Sequence, residues 1–342
     1  MLRLLNLYIL SIAGTLGVLQ GMAQPSAQLT EDFLPKDYLT TAFHEGRRKA
    51  LRDLMPDNSV MVIFAYPLRT FSNDVEYLYH PNPDLFYFSG YKEPNSLLLL
   101  FKSPQTDESG NSYNSLFFVQ KRDALAERWT GRRLGTEGVK SKLDLQTVYN
   151  GEDFENFIID FAKFDKIIMD ELPEDVIDRK REKADLYELV QQFRTKAAVP
   201  ANYKTDKRFD LKTYHQLTAQ LREIKTDEEL LLLRKAIEIS CQGQNEVMKA
   251  VHPNMSELEI QGLHEFVHKK YGAENVGYGS IIGSGENGCI LHYTENAKTK
   301  IGNSMLLMDV GAEYHGYTAD VTRTIPVDGK FSAEEKAIYQ LV

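Results

Sequence analysis

The sequence predicts two domains, an α/β domain followed by an α+β domain. Its 342 residues suit two domains of the usual size, about 100–200 residues each. Short apolar runs typical of strands alternate with helical segments before Ala198, whereas amphipathic helices and a β-hairpin follow later in the chain. We therefore expect domains at residues 24–198 and 213–342, joined by a linker at residues 199–212.

Apolar runs bounded by turn residues predict the strands of the first domain. They span Ser59 to Tyr66, Leu97 to Phe101, Ser115 to Gln120 and Lys166 to Met169. Between them, the bulky residues Phe86, Tyr87 and Phe88 are more typical of a strand core than of a substrate pocket.

Two predicted helices open the second domain, at Thr226-x-x-Glu229 and Ser256-x-x-Glu259, which both match capping boxes. The first continues with a stripe at helical spacing, Leu230, Leu233, Ile237, Cys241, Gln244 and Met248. The second carries His264 and His268 at i, i+4, a spacing that can bind zinc. Because a third ligand is missing from the pattern, we expect surface histidines instead.

The two cysteines, Cys241 and Cys289, are expected to be buried free thiols and not a disulfide. Cys241 lies on the apolar stripe of a helix and Cys289 within a glycine-rich segment. Neither belongs to a metal-binding cysteine pattern.

The formal net charge of −9 and the pI near 5.5 exclude nucleic acid as an expected partner, since phosphate binding needs a basic face. The hydrophobic content of 42% is ordinary for a globular protein.

Residues 1–23 have the pattern of a secretory signal peptide. An early arginine, Arg3, precedes an apolar stretch from Leu4 to Leu19, and Gly21-Met22-Ala23 provides a small-x-small cleavage site. The apolar stretch is shorter than the ~20 residues that span a bilayer. We expect export, to the periplasm or out of the cell, without a stable membrane anchor.

A β-hairpin near the end of the chain carries two aspartates. If its turn is centred on Tyr314 and His315, Asp309 lies directly opposite Asp320, with Cβ atoms about 5 Å apart on one face. Two like charges so placed are destabilising unless a cation lies between them, and a hard cation with oxygen ligands suits two carboxylates. The hairpin predicts half of a metal site.

In the same register, one face of the hairpin carries the aspartates and the other face is apolar. Met308, Val310, Ala319 and Val321 alternate with the aspartates and are expected to pack on a core. An exposed acidic hairpin without a metal is the alternative interpretation.

Upstream, residues 283–296 read GSGENGCILHYTEN, in which small residues lead to a short apolar run that ends at His292. Glycines at such a place allow backbone to approach a ligand closely. Together with MDVGAEYHGYTADVTRTIPV at residues 308–327, this segment resembles the pita-bread metallopeptidases, and most closely the aminopeptidase P family. The segments at His80 to Gly90 and Arg128 to Gly135 resemble the amino-terminal domain that precedes the catalytic domain in that family and in prolidase.

The resemblance implies a creatinase/prolidase-type amino-terminal domain followed by a pita-bread catalytic domain. It implies hydrolysis of the bond between a first residue and a following proline, through water activated by two divalent metal ions, usually manganese. Asp309 and Asp320 match metal ligands, and Asp320 would bridge the ions. His292 matches a catalytic histidine outside the metal shell that binds substrate and helps to move protons. Trp129 matches a residue that can reach a neighbouring subunit's active site; a core aromatic is its alternative.

Three further ligands, a histidine and two glutamates, lie further along the chain in this family, so we expect them beyond Val342. We accordingly interpret the chain as a fragment, incomplete at the carboxyl terminus and inactive by itself. A homo-oligomer is expected from the resemblance. Prolidase, which cuts only dipeptides ending in proline, and a non-catalytic peptide-binding or assembly module are the alternatives.

Overall fold

The computed structural model describes residues 37–107, 110–179 and 183–342. The predicted signal peptide, residues 1–23, lies outside the described residues. Contacts group residues 39–342 into one compact unit, and the fold below is that of this unit.

The elements up to residue 198 build a mixed sheet with helices around it. In chain order they are α1 (Thr41–Leu54), β1 (Ser59–Phe64), β2 (Thr70–Ser72), β3 (Val75–Glu76), α2 (Pro83–Ser89), β4 (Leu97–Thr106), β5 (Ser112–Val119), α3 (Glu127–Thr130), α4 (Gly135–Leu143), β6 (Val148–Asn150), β7 (Lys166–Met169) and α5 (Leu186–Lys196).

The remaining elements begin inside the predicted linker. They are β8 (Phe209–Asp210), α6 (Leu211–Glu223), α7 (Asp227–Ala250), α8 (Glu257–Lys270), β9 (Asn275–Val276), β10 (Ile281–Ser284), β11 (Met305–Val310), β12 (Ala312–Tyr314), β13 (Tyr317–Thr318), β14 (Val321–Pro326) and α9 (Ala333–Tyr339). Short β8 pairs with β7, so the end of the linker segment completes the first sheet.

The first sheet has six strands in the order β6-β5-β4-β1-β7-β8. Central β1 is antiparallel to β4 and parallel to β7, and all of its residues are buried. Burial on both faces explains why its sequence, Ser-Val-Met-Val-Ile-Phe, is almost continuously apolar. The predicted strands are confirmed, with β1 ending at Phe64 and β4 and β5 longer than expected.

Phe86, Tyr87 and Phe88 are buried as predicted, but the expected strand there is wrong because they lie in helix α2. The Asn82 side chain accepts from the amides of the first turn, Pro83 occupies that turn, and Gly90 closes the helix at φ 75°. These start and stop signals favour a helix over the strand propensity of the aromatic residues.

Both predicted capping boxes are confirmed at the starts of α7 and α8. The predicted stripe of α7 is wrong by about one position, because Ile237 and Met248 are exposed. Its buried face instead combines small and apolar side chains, namely Leu232, Ala236, Ile239, Ser240, Gly243 and Val247. Apolarity alone therefore did not mark the face that packs.

Both cysteines are free, as predicted, but neither is buried. Cys241 is half-buried and Cys289 is exposed. Among the helices in the part of the chain that the structure describes, none is long and apolar enough to cross a membrane.

Candidate metal centre

The aspartate hairpin is built from β11 to β14, and its register differs from the predicted one. Tyr314 pairs with Tyr317, so the turn is formed by His315 and Gly316. Asp309 pairs with Thr322, and the prediction that it faces Asp320 directly is wrong. The shift is two residues, however, and a strand repeats its faces every two residues. Asp309 and Asp320 therefore still share a face, as diagonal neighbours.

The hairpin is interrupted between the two aspartates. Gly311 separates β11 from β12, while Ala319 and Asp320 separate β13 from β14. A Cβ atom at Gly311 would overlap the Ala319 carbonyl oxygen, so only glycine lets the strands come this close. The two halves of the hairpin join different sheets, β10-β11-β14 and β13-β12-β9. The pairing register is the same on both sides of this break, so the placement of the turn at His315 and Gly316 is what moves Asp320 away from the position opposite Asp309.

The two carboxylates converge on one hydroxyl group. Tyr278 Oη lies within hydrogen-bonding distance of Asp309 Oδ1 in a short contact and of Asp320 Oδ1 at 3.2 Å. Burial and then the hydrogen bond to Asp309 raise the pKa of Tyr278, so this phenol remains a donor at neutral pH. Asp309 is half-buried and Asp320 is exposed. The carboxylates thus lie close together, with one side open to solvent.

The opposite face of the hairpin is buried, as predicted, and it packs on α7. Met308, Val310, Ala319 and Val321 are buried. Gln244 Nε2 donates to the carbonyl oxygens of Met308 and Val321, at 3.2 and 3.0 Å. These bonds connect one helix side chain to both strands of the hairpin and so fix the strands that carry the aspartates.

The donor set suits a hard divalent cation. Two carboxylates that share one neutral hydroxyl donor supply oxygen ligands and the negative charge that offsets such an ion. Within the described residues no group of three or more His, Cys, Asp or Glu side chains is placed to hold a metal. Asp309 and Asp320 are therefore a pair of candidate ligands, and their assignment remains a prediction.

Comparison with known proteins places both halves of the chain. The model of the aminopeptidase P amino-terminal domain matches residues 44–168, and the model of metallopeptidase family M24 matches residues 232–342. A solved structure of proline aminopeptidase P II from Yersinia pestis is 32% identical, with a TM-score of 0.71, over 89% of this chain and 67% of that one. The chain belongs to the aminopeptidase P family.

Other members of the aminopeptidase P family show the same relationship. The Xaa-Pro aminopeptidase of Escherichia coli strain K12 is 34% identical over 313 residues, which are 87% of this chain and 65% of that protein. A structure of zinc-substituted E. coli aminopeptidase P in complex with product superimposes with a TM-score of 0.73 at 31% identity, over 89% of this chain and 66% of the other. This chain spans about two thirds of the length of these relatives. The predicted fold, an aminopeptidase P amino-terminal domain followed by a pita-bread domain, is confirmed.

His292, the predicted catalytic histidine of this aminopeptidase P family member, lies in an exposed turn. The turn follows β10 and a 3₁₀ helix at Gly285–Cys289. Strand β10 pairs with β11, and Ile281 faces Asp309 across that pair. The segment that carries His292 thus begins on the strand beside Asp309, and the role of His292 remains a prediction.

Trp129 lies in the short helix α3 and is 91% exposed. The alternative that it is a core aromatic is therefore wrong. Its contact with a neighbouring subunit remains a prediction, which its exposure permits.

His264 and His268 are not surface histidines, so that expectation is wrong. Both are buried on the face of α8 that packs against Gly243 of α7, where a Cβ atom would lie 2.9 Å from His264 Nδ1 and 3.0 Å from His268 Nε2. Burial lowers the pKa of both, that of His264 to about 3. A glycine on the partner helix makes room for two imidazoles, which a pattern confined to α8 does not reveal.

Tyr278 is the residue of this site that sequence reasoning missed. It stands between Gly277 and Gly279, just ahead of β10. A tyrosine between two glycines beside a predicted strand is a signal for an accessible hydroxyl, but its partners lie 31 and 42 residues further along the chain. Only the fold brings them together.

Proposed function

We propose that the full-length protein is a metal-dependent aminopeptidase that releases the residue in front of a proline in the second position of a peptide. The observation that carries this proposal is the convergence of Asp309 and Asp320 on Tyr278 in a member of the aminopeptidase P family. The E. coli relative bears the name Xaa-Pro aminopeptidase, and the Yersinia pestis relative is called a proline aminopeptidase.

Asp309 and Asp320 would be among the ligands of two divalent ions, for which we propose manganese. When bound, such ions polarise a carbonyl group and lower the pKa of water. The Tyr278 hydroxyl contacts both carboxylates and so limits their rotation. Its hydrogen bonds orient the ligands in the way that outer-shell partners do in other metal sites.

His292 is proposed to bind the substrate near the scissile bond and to carry a proton during turnover. Its exposed position leaves the imidazole open to a peptide, and an imidazole can gain or lose a proton near neutral pH. Trp129, exposed on α3, is proposed to contact a second subunit of a homo-oligomer. Export to the periplasm or out of the cell completes the proposal.

The experiment that tests this function uses protein expressed from the complete gene, stripped of metal and then assayed with and without added manganese. The substrates are a tripeptide with proline second and a dipeptide ending in proline. We expect manganese-dependent release of the first residue from the tripeptide. Cleavage of the dipeptide alone would instead indicate a prolidase, and cleavage of neither would favour a non-catalytic peptide-binding module.

The metal ligands are tested in the same assay with Asp320→Asn, which keeps the shape of the side chain but removes its charge. We expect a loss of more than about 100-fold in kcat/KM, because a ligand should matter more than the 10–100-fold typical of its outer-shell partners. Asp328→Asn, at an exposed aspartate beyond β14, is the matched control and should retain activity. Full activity of Asp320→Asn would contradict the assignment.

A further inference from the structure

The segment that carries His292 has little core of its own. Residues 284–298 leave β10, form the 3₁₀ helix Gly285–Cys289 and pass through a turn. From Cys289 to His292 every side chain is exposed, and Leu291 is 88% exposed. A stretch with so few buried apolar contacts opens easily unless polar contacts hold its ends.

Glu257, the first residue of α8, makes these polar contacts. Its side chain is fully buried. Oε1 accepts hydrogen bonds from the Ser284 amide at 2.8 Å and from Asn287 Nδ2 at 3.1 Å. Oε2 accepts from Tyr293 Oη and from the Lys298 amide, both at 2.8 Å. One carboxylate therefore binds the segment on both sides of His292.

We call these hydrogen bonds of Glu257 the Glu257 clamp. Backbone hydrogen bonds and Tyr293 add further contacts to it. The Glu257 amide donates to the Lys298 carbonyl at 3.0 Å, so Lys298 is bound twice by the same residue. The Tyr293 hydroxyl, next to His292 in sequence, also accepts from the Ala297 amide at 2.9 Å. The residue that follows His292 is thus fixed by its side chain to the start of α8.

The clamp requires a carboxylate. An ionised carboxylate only accepts hydrogen bonds, and its two oxygens here face four donors. A glutamine has one oxygen, so whichever way its amide turns, an NH₂ group faces the amide of either Ser284 or Lys298. A backbone N–H then loses its acceptor inside the protein, which is costly.

We propose that Glu257 is a positioning residue for His292, and this inference rests on the proposed function. By binding both ends of residues 284–298, Glu257 fixes the position and orientation of the turn that carries the His292 imidazole. Because β10 pairs with β11, the clamp also fixes this turn relative to Asp309. Glu257 acts through His292 and does not contact the reacting atoms.

The test is a double-mutant cycle in the full-length, manganese-loaded protein, with Glu257→Gln, His292→Ala and the combined variant. kcat and KM are measured separately on the tripeptide with proline second. We expect Glu257→Gln to lower kcat/KM by about 10–100-fold, since misplacing a group that acts on the substrate by about 1 Å has effects of that size. In the His292→Ala background the same change should cost less than about threefold, because its effect passes through the missing imidazole.

Glu259→Gln is the matched control on the same helix. Glu259 is exposed and its carboxylate accepts from the Ser256 amide in the capping box, so this variant should keep activity within about twofold. Tyr293→Phe removes one of the four donors and serves if Glu257→Gln does not fold. It should show the same non-additive pattern with a smaller loss.

The outcomes separate the inference from the function on which it rests. An active wild type in which Glu257→Gln changes nothing, or costs the same factor with and without His292, overturns the positioning role alone. A full-length wild type that cleaves neither peptide overturns the proposed function, and the positioning role falls with it. Loss of activity in Glu257→Gln that disappears in the His292→Ala background supports both.

Discussion

Asp309 and Asp320 are linked by the Tyr278 hydroxyl, which contacts both carboxylates. A phenol that contacts two carboxylates lowers their repulsion, but it carries one proton for two acceptors. Its contact with Asp309 is the shorter of the two, and Asp320 lies at 3.2 Å. A cation beside both carboxylates would relieve the repulsion that remains. The arrangement suits metal ligands better than it suits an exposed acidic hairpin without a metal.

Replacing Tyr278 by phenylalanine tests the contribution of this hydroxyl. The ring remains and both hydrogen bonds disappear, so Asp309 and Asp320 become freer to rotate. We expect metal affinity or kcat/KM to fall by about 10–100-fold. Calorimetric titration of the metal-free full-length protein with manganese measures the first quantity. Unchanged affinity together with unchanged activity would show that the hydroxyl does not orient the ligands.

Among the secondary-structure elements, the interrupted hairpin is the one on which the site depends. Strands β11 and β14 stay paired up to Val310 and Val321, and beyond Gly311 the hairpin joins another sheet. The gap at Gly311 lets the Ala319 carbonyl oxygen approach the backbone closely. The position of Asp320 therefore depends on a residue without a side chain.

Gly311→Ala is expected to destabilise the protein by about 1–3 kcal/mol or more, as overpacking does, and to weaken metal binding. Its methyl group would overlap the Ala319 oxygen and meet the Tyr278 ring at 2.9 Å. Gly262→Ala is the control, since no heavy atom lies within 4 Å of its added Cβ in helix α8. It should stabilise the protein by up to about 1 kcal/mol. Urea unfolding measures both, and equal effects would contradict the argument.

The packing of α7 on α8 should make stability sensitive to acid. Burial lowers the pKa of His264 to about 3, whereas an unfolded imidazole has a pKa of 6.5. Between these values the unfolded chain binds more protons, so stability is complete above about pH 6.5 and is lost as pH falls towards about 3. Each pH unit in this window costs up to about 1.4 kcal/mol.

His264→Asn removes this titration. The variant should be less stable at neutral pH, because it leaves a gap beside Met308 and Gly243, but it should lose less stability between about pH 7 and about pH 5. Unfolding by urea at both pH values measures the difference. If the stability of His264→Asn depends on pH as strongly as that of the wild type, groups other than His264 cause the dependence.

The molecule as a whole joins the segments matched by the two family models through a common core. One apolar cluster contains Phe86 and Leu98 from the first segment and Leu232, Ala312 and Val321 from the second. A hydrogen bond between His80 Nε2 and Glu313 Oε2 and an ion pair between Lys92 and Glu274, both at 2.9 Å, link the same segments. They border a cavity of about 280 Å³ beside the hairpin turn. The hairpin that carries the aspartates is thus supported by both segments.

Residues 39–342 are accordingly expected to unfold cooperatively. Phe86 packs against Gly316 of the hairpin turn and is almost buried, so Phe86→Ala should lower stability by about 3–5 kcal/mol and shift a single transition. Phe71→Ala, at a residue that is 65% exposed, should change stability by less than about 0.5 kcal/mol. Calorimetry distinguishes the cases: a Phe86→Ala transition that splits in two, with the carboxyl-terminal part unchanged, would contradict a shared core.

Much of the fold could be predicted from patterns of neighbouring residues in the sequence. The strands of the first sheet, the helix starts at Thr226 and Ser256 and the buried face of the hairpin depend on periodicity and caps within a few residues, and the structure confirms them. Asp309 and Asp320 were identified from their spacing in the hairpin, and His292 from the resemblance to the aminopeptidase P family. Their roles remain predictions.

Other features depended on contacts between distant segments. The burial of His264 and His268 followed from a glycine on another helix, and the convergence on Tyr278 from the pairing of β10 with β11. Glu257 looked like part of a helix start and proved to bind residues 284–298. Local sequence dictates backbone preference and which groups are available, whereas packing between segments decides which of those groups meet.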